Sequence, residues 1–218
     1  MAERPHGAPT PATDTEIVGA DWYGADLTAQ SHERVAFSEV DMIESSSRGA
    51  TFSECAFREC RFNASRHRDS AFLNCRFVRC TFFDATFVDC KLVGSMFDRC
   101  ELGVFTCEGG DWSFVGLPGA DLRRARFSGV RMREADLTGA RCAGALLHEV
   151  DLSGASLHRV DFSGADLRGS DISALDPATV ELRGTIVDPD QTMVIAAALG
   201  LDVRPEDRSQ SSWNSPSR

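Results

Sequence analysis

Eight cysteines and five histidines are the side chains of this 218-residue chain best suited to metal or redox chemistry, and their spacing decides whether they do any. Cys55, Cys60, Cys75, Cys80, Cys90 and Cys100 fall at multiples of five, and Cys107 and Cys142 lie two residues out of that phase. Zinc sites need short Cys or His pairs, and no histidine accompanies these thiols at ligand spacing. The spacing therefore favours small buried packing groups over a metal site or a disulfide ladder, and no metal or cofactor is expected. Catalysis by His32 or His67 would need acidic or thiol partners, and neighbours such as Ser47, Ser65 and Phe87 supply none. Both read as satisfied buried or rim histidines. No Ser-His-Asp set, glycine-rich phosphate loop or distinguished carboxylate pair is present, so the chain does not read as an enzyme.

The cysteine spacing belongs to a wider pattern. Every fifth residue from Trp22 to Leu182 gives 33 positions, of which only His32, Ser47, His67 and Pro177 are not apolar. Eleven of the 14 phenylalanines share this register, from Phe37 to Phe162. Two residues upstream runs a second comb of small side chains, among them Ala20, Cys55, Cys80, Ala135 and Ala165. Inward residues two apart imply local β alternation, and an odd period breaks that alternation once per repeat, so the chain must turn every five residues. A period of five keeps no face of a 3.6-residue helix. The expected fold is an all-β solenoid with a core of stacked equivalent positions. The least regular repeats, Ser45 to Gly49 and Ser65 to Asp69, suggest a local bulge.

The ends differ from the body. Residues 1–19, rich in Pro, Ala and Thr, read as disordered, 20–187 as the solenoid, 188–203 as a helix with a short extension and 204–218 as a flexible tail. Asp188, Pro189 and Asp190 give an N-cap, a proline at N1 and a first-turn acid, and Gly200 gives a C′ stop. Between them the helix is apolar on all sides, with Met193, Val194, Ala197, Ala198 and then Leu201, and such a helix needs two covering partners. The last coil is one; the same helix of a second copy is the other, giving a two-fold homodimer. A monomer with an oversized cap is the alternative. The first residues lack an apolar leader core and no run reaches 18 apolar residues, so a cytoplasmic protein with reduced thiols and no membrane contact is expected.

Net charge is −10, spread unevenly: −6 over residues 1–50, +2 over 51–100, −1 over 101–150 and −5 over 151–218. This excess argues against direct nucleic-acid binding and for a basic partner. The C-terminal acids, Asp151, Asp161, Asp166, Asp171, Asp176, Glu181, Asp188 and Asp190, would meet at the centre of the dimer.

The template Ala-Asp-Leu-x-Gly, as in Ala135 to Gly139 and Ala165 to Gly169, resembles the pentapeptide-repeat proteins over residues 20–187. That resemblance implies a right-handed quadrilateral β-helix with four repeats per coil, hence about eight coils and, at about 4.8 Å per coil, a rod about 40 Å long. It also stacks Cys60, Cys80 and Cys100 in one column. Within the family, the stretch from Ser65 to Cys75, the segment Leu92 to Phe97, and Val187 to Gln191 leading into Ile195 to Leu201 are most similar to the Qnr and MfpA type, and closest to the actinobacterial MfpA group. The resemblance implies a homodimer that imitates duplex DNA, binds DNA gyrase and protects it from quinolones. A structural scaffold with another basic partner is the alternative. Duplex DNA about 80 Å long carries roughly 47 charges, against two copies of −10 here, so mimicry is expected to be local to the dimer centre.

Overall fold

The structure is a computed structural model that describes residues 9–204. Every strand pair and bridge is parallel and joins residues 20 apart, so one coil is four five-residue repeats. One face is the five-stranded sheet of Thr15–Val18, Val35–Ser38, Ala56–Arg58, Arg76–Val78 and Met96–Asp98. A second is the six-stranded sheet of Ser46–Arg48, Arg66–Arg68, Thr86–Val88, Thr106–Glu108, Arg126–Ser128 and Leu146–His148. Ser31–Glu33, Thr51–Ser53 and Ala71–Leu73 start a third face, and single bridges running from Asp21 to Glu181 make the fourth. The solenoid expected from the period of five is what forms.

One boundary shifts, and the C-terminal helix forms as expected. Thr15–Val18 already pairs with Val35–Ser38, so the first coil begins inside the segment expected to be disordered. Pro189–Ala198 forms the helix α1, capped by Asp188 with Gly200 in the left-handed region after it. The rest of the expected disorder, residues 1–8, and nearly all of the expected tail, 205–218, lie outside the described residues. No bulge occurs at the serine-rich repeats; Ser46–Arg48 and Arg66–Arg68 pair in regular register.

The corner of most repeats is a residue of positive φ two places after the central residue. Seventeen non-glycine residues adopt it there, including Glu54, Asp69 and Asn74, with φ near 50°. Each coil hydrogen-bonds to the next through such corners, as when Glu59 N–H donates to Val78 O at 2.9 Å; that ladder offsets the strain of the left-handed backbone.

Inside, stacking at one coil spacing explains the excess of phenylalanine. Phe37, Phe57, Phe77 and Phe97 stack with centroids 4.8, 4.8 and 4.7 Å apart, and Phe62 on Phe82 at 4.8 Å. Adjacent faces meet edge to face, Phe57 to Phe62 at 5.5 Å and 70°. Both geometries suit the ring quadrupole. From Leu102 onwards the central slots hold mostly leucine. The transition uses a swap: Phe105 fills a small slot and Cys107 the central one, both buried.

Candidate functional site

The cysteines are packing groups that also donate weak hydrogen bonds. Cys55, Cys60, Cys75 and Cys80 direct Sγ at the carbonyls of His32, Phe37, Phe52 and Phe57, at 3.4 to 3.5 Å. All eight are free, and burial pushes the Cys80 and Cys90 thiols upward, Cys90 to about 11, which keeps them un-ionised. Among the described residues no cluster of three His, Cys, Asp or Glu is placed to hold a metal ion.

His67 replaces a phenylalanine in the stack and lies over Phe87, centroids 4.9 Å apart. Its ring nitrogens meet Ser47 Oγ at 2.8 Å and Ser65 Oγ at 3.2 Å. Ser70 Oγ donates to Arg68 O, so Ser47 must donate to Ser70, and its lone pairs then accept the Nδ1–H of His67. Nε2 is left to accept from Ser65, and the ring is satisfied only when neutral. Burial pushes its pKa down to about 3. An unfolded histidine titrates at about 6.5. The unfolded chain thus binds the proton first, and the stability His67 contributes is complete above that value and lost as pH falls towards the folded one. We expect the loss to reach about 2 kcal/mol near pH 5. His67→Phe should flatten the pH dependence of urea midpoints between pH 6.5 and 5; an unchanged slope would show that another group titrates there.

The eight acids singled out by sequence divide into two groups. Asp166 is buried and its carboxylate is held by Arg168 at 2.7 Å and His148 at 2.8 Å, which draws its pKa well below the usual carboxylate range. Asp151 is bound by Arg133 at 2.5 Å and by Ser153. Asp188 caps α1 through Gln191 N–H at 2.9 Å and accepts Gly169 N–H, also at 2.9 Å. These three carry structural contacts, and Asp188 takes the capping position expected for it. Asp161, Asp171 and Asp176 each accept a local backbone N–H two residues on, which leaves carboxylate oxygen facing water. Asp171, Asp176, Glu181 and Asp190 are exposed, and Asp161 is half-buried.

Sequence reasoning missed the ion pairs between coils. Asp41 with Arg61 (2.6 Å), Asp111 with Arg131 (3.0 Å) and Asp121 with Arg141 (3.1 Å) are opposite charges 20 residues apart, a signal that the coil length makes readable. Each is worth little at the surface, but together they remove acids from any partner-facing charge.

α1 sits on the last coils through Gln191, whose side-chain amide donates to Leu167 O at 2.6 Å and Ser170 O at 2.7 Å, with Ile195 half-buried beside it. Met193 is 49% exposed, Val194 38% and Leu201 60%, and Ala197 and Ala198 also face solvent. All five residues expected at a dimer contact thus lie on the uncovered side. No helix among the described residues is long and apolar enough to cross a membrane.

A family model described as pentapeptide repeats matches residues 113–141 and 135–173 with eight copies, and a model of the SV2A/B/C luminal domain matches 14–102. The residues matched by the pentapeptide-repeat model continue the five-residue register of the coils before them. Among solved structures, full-length QnrB1, a plasmid-mediated fluoroquinolone resistance protein, superposes with a TM-score of 0.56 at 18% identity, covering 87% of this chain and 99% of that one. A trypsin-treated variant of QnrB1 gives 0.51 at 18% identity, covering 88% and 99%. HetL, a pentapeptide-repeat protein involved in heterocyst differentiation regulation from the cyanobacterium Nostoc sp. strain PCC 7120, gives 0.31 at 20% identity over 80% and 86%. No curated protein matches the chain.

Proposed function

We propose that the chain is a non-enzymatic, homodimeric mimic of duplex DNA that binds DNA gyrase and modulates or protects it in the presence of quinolones or related poisons. The observation that carries this reading is a coincidence of place. Asp161, Asp171, Asp176, Glu181 and Asp190, none of which forms an ion pair among the described residues, lie at the end of the rod where α1 leaves its apolar side uncovered. A two-fold contact through α1 would double that acidic surface at the centre of a longer rod. The fold shared with QnrB1, a plasmid-mediated fluoroquinolone resistance protein, and the resemblance of the Val187 to Leu201 segment to the MfpA group support the same reading.

A supercoiling assay with and without quinolone tests it. The protein should inhibit or protect gyrase, with an effect that weakens as salt rises. Neutralising Asp161, Asp171, Asp176 and Glu181 together to the amides should raise the concentration required by about tenfold or more, since four unpaired surface carboxylates steer association. Wild-type protein without effect at large molar excess would overturn the reading, and recovery of a different basic partner from a bacterial lysate would replace it with a scaffolding role.

A further inference from the structure

Between residues 99–104 and 118–124 the rod is split. Elsewhere on this side the coils are laced together: Arg79 N–H donates to Asp98 O at 2.9 Å, Phe82 to Glu101 at 2.7 Å, and Glu101 to Cys80 at 2.9 Å. Among the described residues the equivalent bonds of Arg99 to Pro118, Leu102 to Asp121, Val104 to Arg123 and Asp121 to Cys100 are not made, and the series of bridges lacks the step from Glu101 to Asp121. The cause is local. The corner slot at 104 holds valine, whose branched Cβ disfavours positive φ, and the left-handed turn moves one residue early to Gly103 at φ 56°. Phe105 then fills a slot sized for alanine or cysteine.

The result is a cleft of about 930 Å³, in the range of ligand sites. Met96, Phe97 and Leu102 give it an apolar floor. Arg76, Arg99, Arg123, Arg124 and Arg141 line it against Asp98, Glu101 and Asp121, an excess of two positive charges. Asp98 is engaged by Arg76 and Arg99, and Asp121 by Arg123 and Arg141. Arg124 has no carboxylate partner among the described residues.

We propose that this cleft binds an extended acidic segment of a partner protein as a guest β-strand. The unmade ladder presents both kinds of backbone group on both lips. One lip carries the N–H groups of Arg99, Leu102 and Val104 with the carbonyl of Cys100. The other carries the N–H of Asp121 with the carbonyls of Pro118, Asp121 and Arg123. A phosphate or other small anion uses donors only; acceptors are matched by a ligand that brings N–H groups of its own, and a peptide backbone does so at strand spacing. Carboxylates on the guest would take the arginines bidentately. The site is remote from α1 and does not depend on gyrase binding.

Methyl NMR of the full chain labelled at methionine tests the proposal, because Met96 lines the cleft and Met132 is buried in the core beyond it. The probes are an N-acetylated hexapeptide alternating valine and glutamate, the same peptide with lysine, a backbone N-methylated glutamate peptide, and inorganic phosphate. The glutamate peptide should shift the Met96 methyl saturably and leave Met132 in place, and the lysine peptide should not. N-methylation, or Arg123→Glu with Arg124→Glu in a protein whose Met132 signal is unchanged, should weaken binding about tenfold or more. No Met96 shift at millimolar glutamate peptide would overturn the proposal. Equal shifts from phosphate, with no cost from N-methylation, would overturn it in favour of a plain anion site.

Discussion

Replacing Phe77 by alanine is expected to destabilise the rod by about 3–5 kcal/mol, the range for removing a buried aromatic ring, and to split its unfolding into two transitions. Phe77 is 1% exposed, stacked between Phe57 and Phe97 at 4.8 and 4.7 Å, and met edge-on by Phe62 and Phe82 at 5.9 and 5.5 Å. The surrounding coils are tied by main-chain ladders and cannot collapse into the void, so the cavity cost should be near its upper range. In a solenoid each coil is stabilised by its two neighbours, and a weakened interface uncouples what lies on either side. Four inter-coil bonds are already missing one coil further on, which makes that place the natural boundary between a phenylalanine-rich and a leucine-rich half. Urea denaturation followed by far-UV circular dichroism should show one transition for the wild type and two for the variant. A loss below about 1 kcal/mol would mean that the stack relaxes far more than close-packed cores do.

What could be read from sequence follows from what the period specifies. A strict register of five names the residues that point inward, so Phe37 and Leu167 could be placed without any structure. It does not specify the corner between repeats, where Glu54 and Gly139 serve equally well because the ladder holds both in the left-handed region. Four corner slots between Gly19 and Gly184 lack positive φ: Val104 and Thr179, whose branched Cβ disfavours it, and Arg124 and Ala174, which their residue types do not mark. The swap of Phe105 and Cys107 was hidden because each keeps to an inward position while exchanging size. The start of the first coil at Thr15 was masked by a Pro- and Ala-rich composition. The acids of the C-terminal end differ in their surroundings. Net charge does not reveal that Asp166 lies between Arg168 and His148, which takes the coil length and the side-chain directions together.

Val194→Arg with Ala197→Arg should convert a dimer to a soluble monomer of half the mass by light scattering, with the circular dichroism of the rod unchanged. α1 is fixed to the rod by groups these substitutions do not touch: the Asp188 cap, the Gln191 bonds to Leu167 O and Ser170 O, and half-buried Ile195. Val194 and Ala197 face the other way, and on a two-fold contact each substitution is met by its own symmetry mate, which places four guanidinium groups in an apolar patch. Burying like charges without partners costs several kcal/mol, more than a contact between helices about 15 Å long can offset. The same variant separates assembly from charge. Asp161, Asp171, Asp176 and Glu181 all remain, so a monomer that has lost its effect on gyrase shows that the acids must be joined across the two-fold axis. A monomer that retains the effect shows that one end of one rod suffices. Wild-type protein already at monomer mass would remove α1 from any interface and leave its apolar side to a different partner.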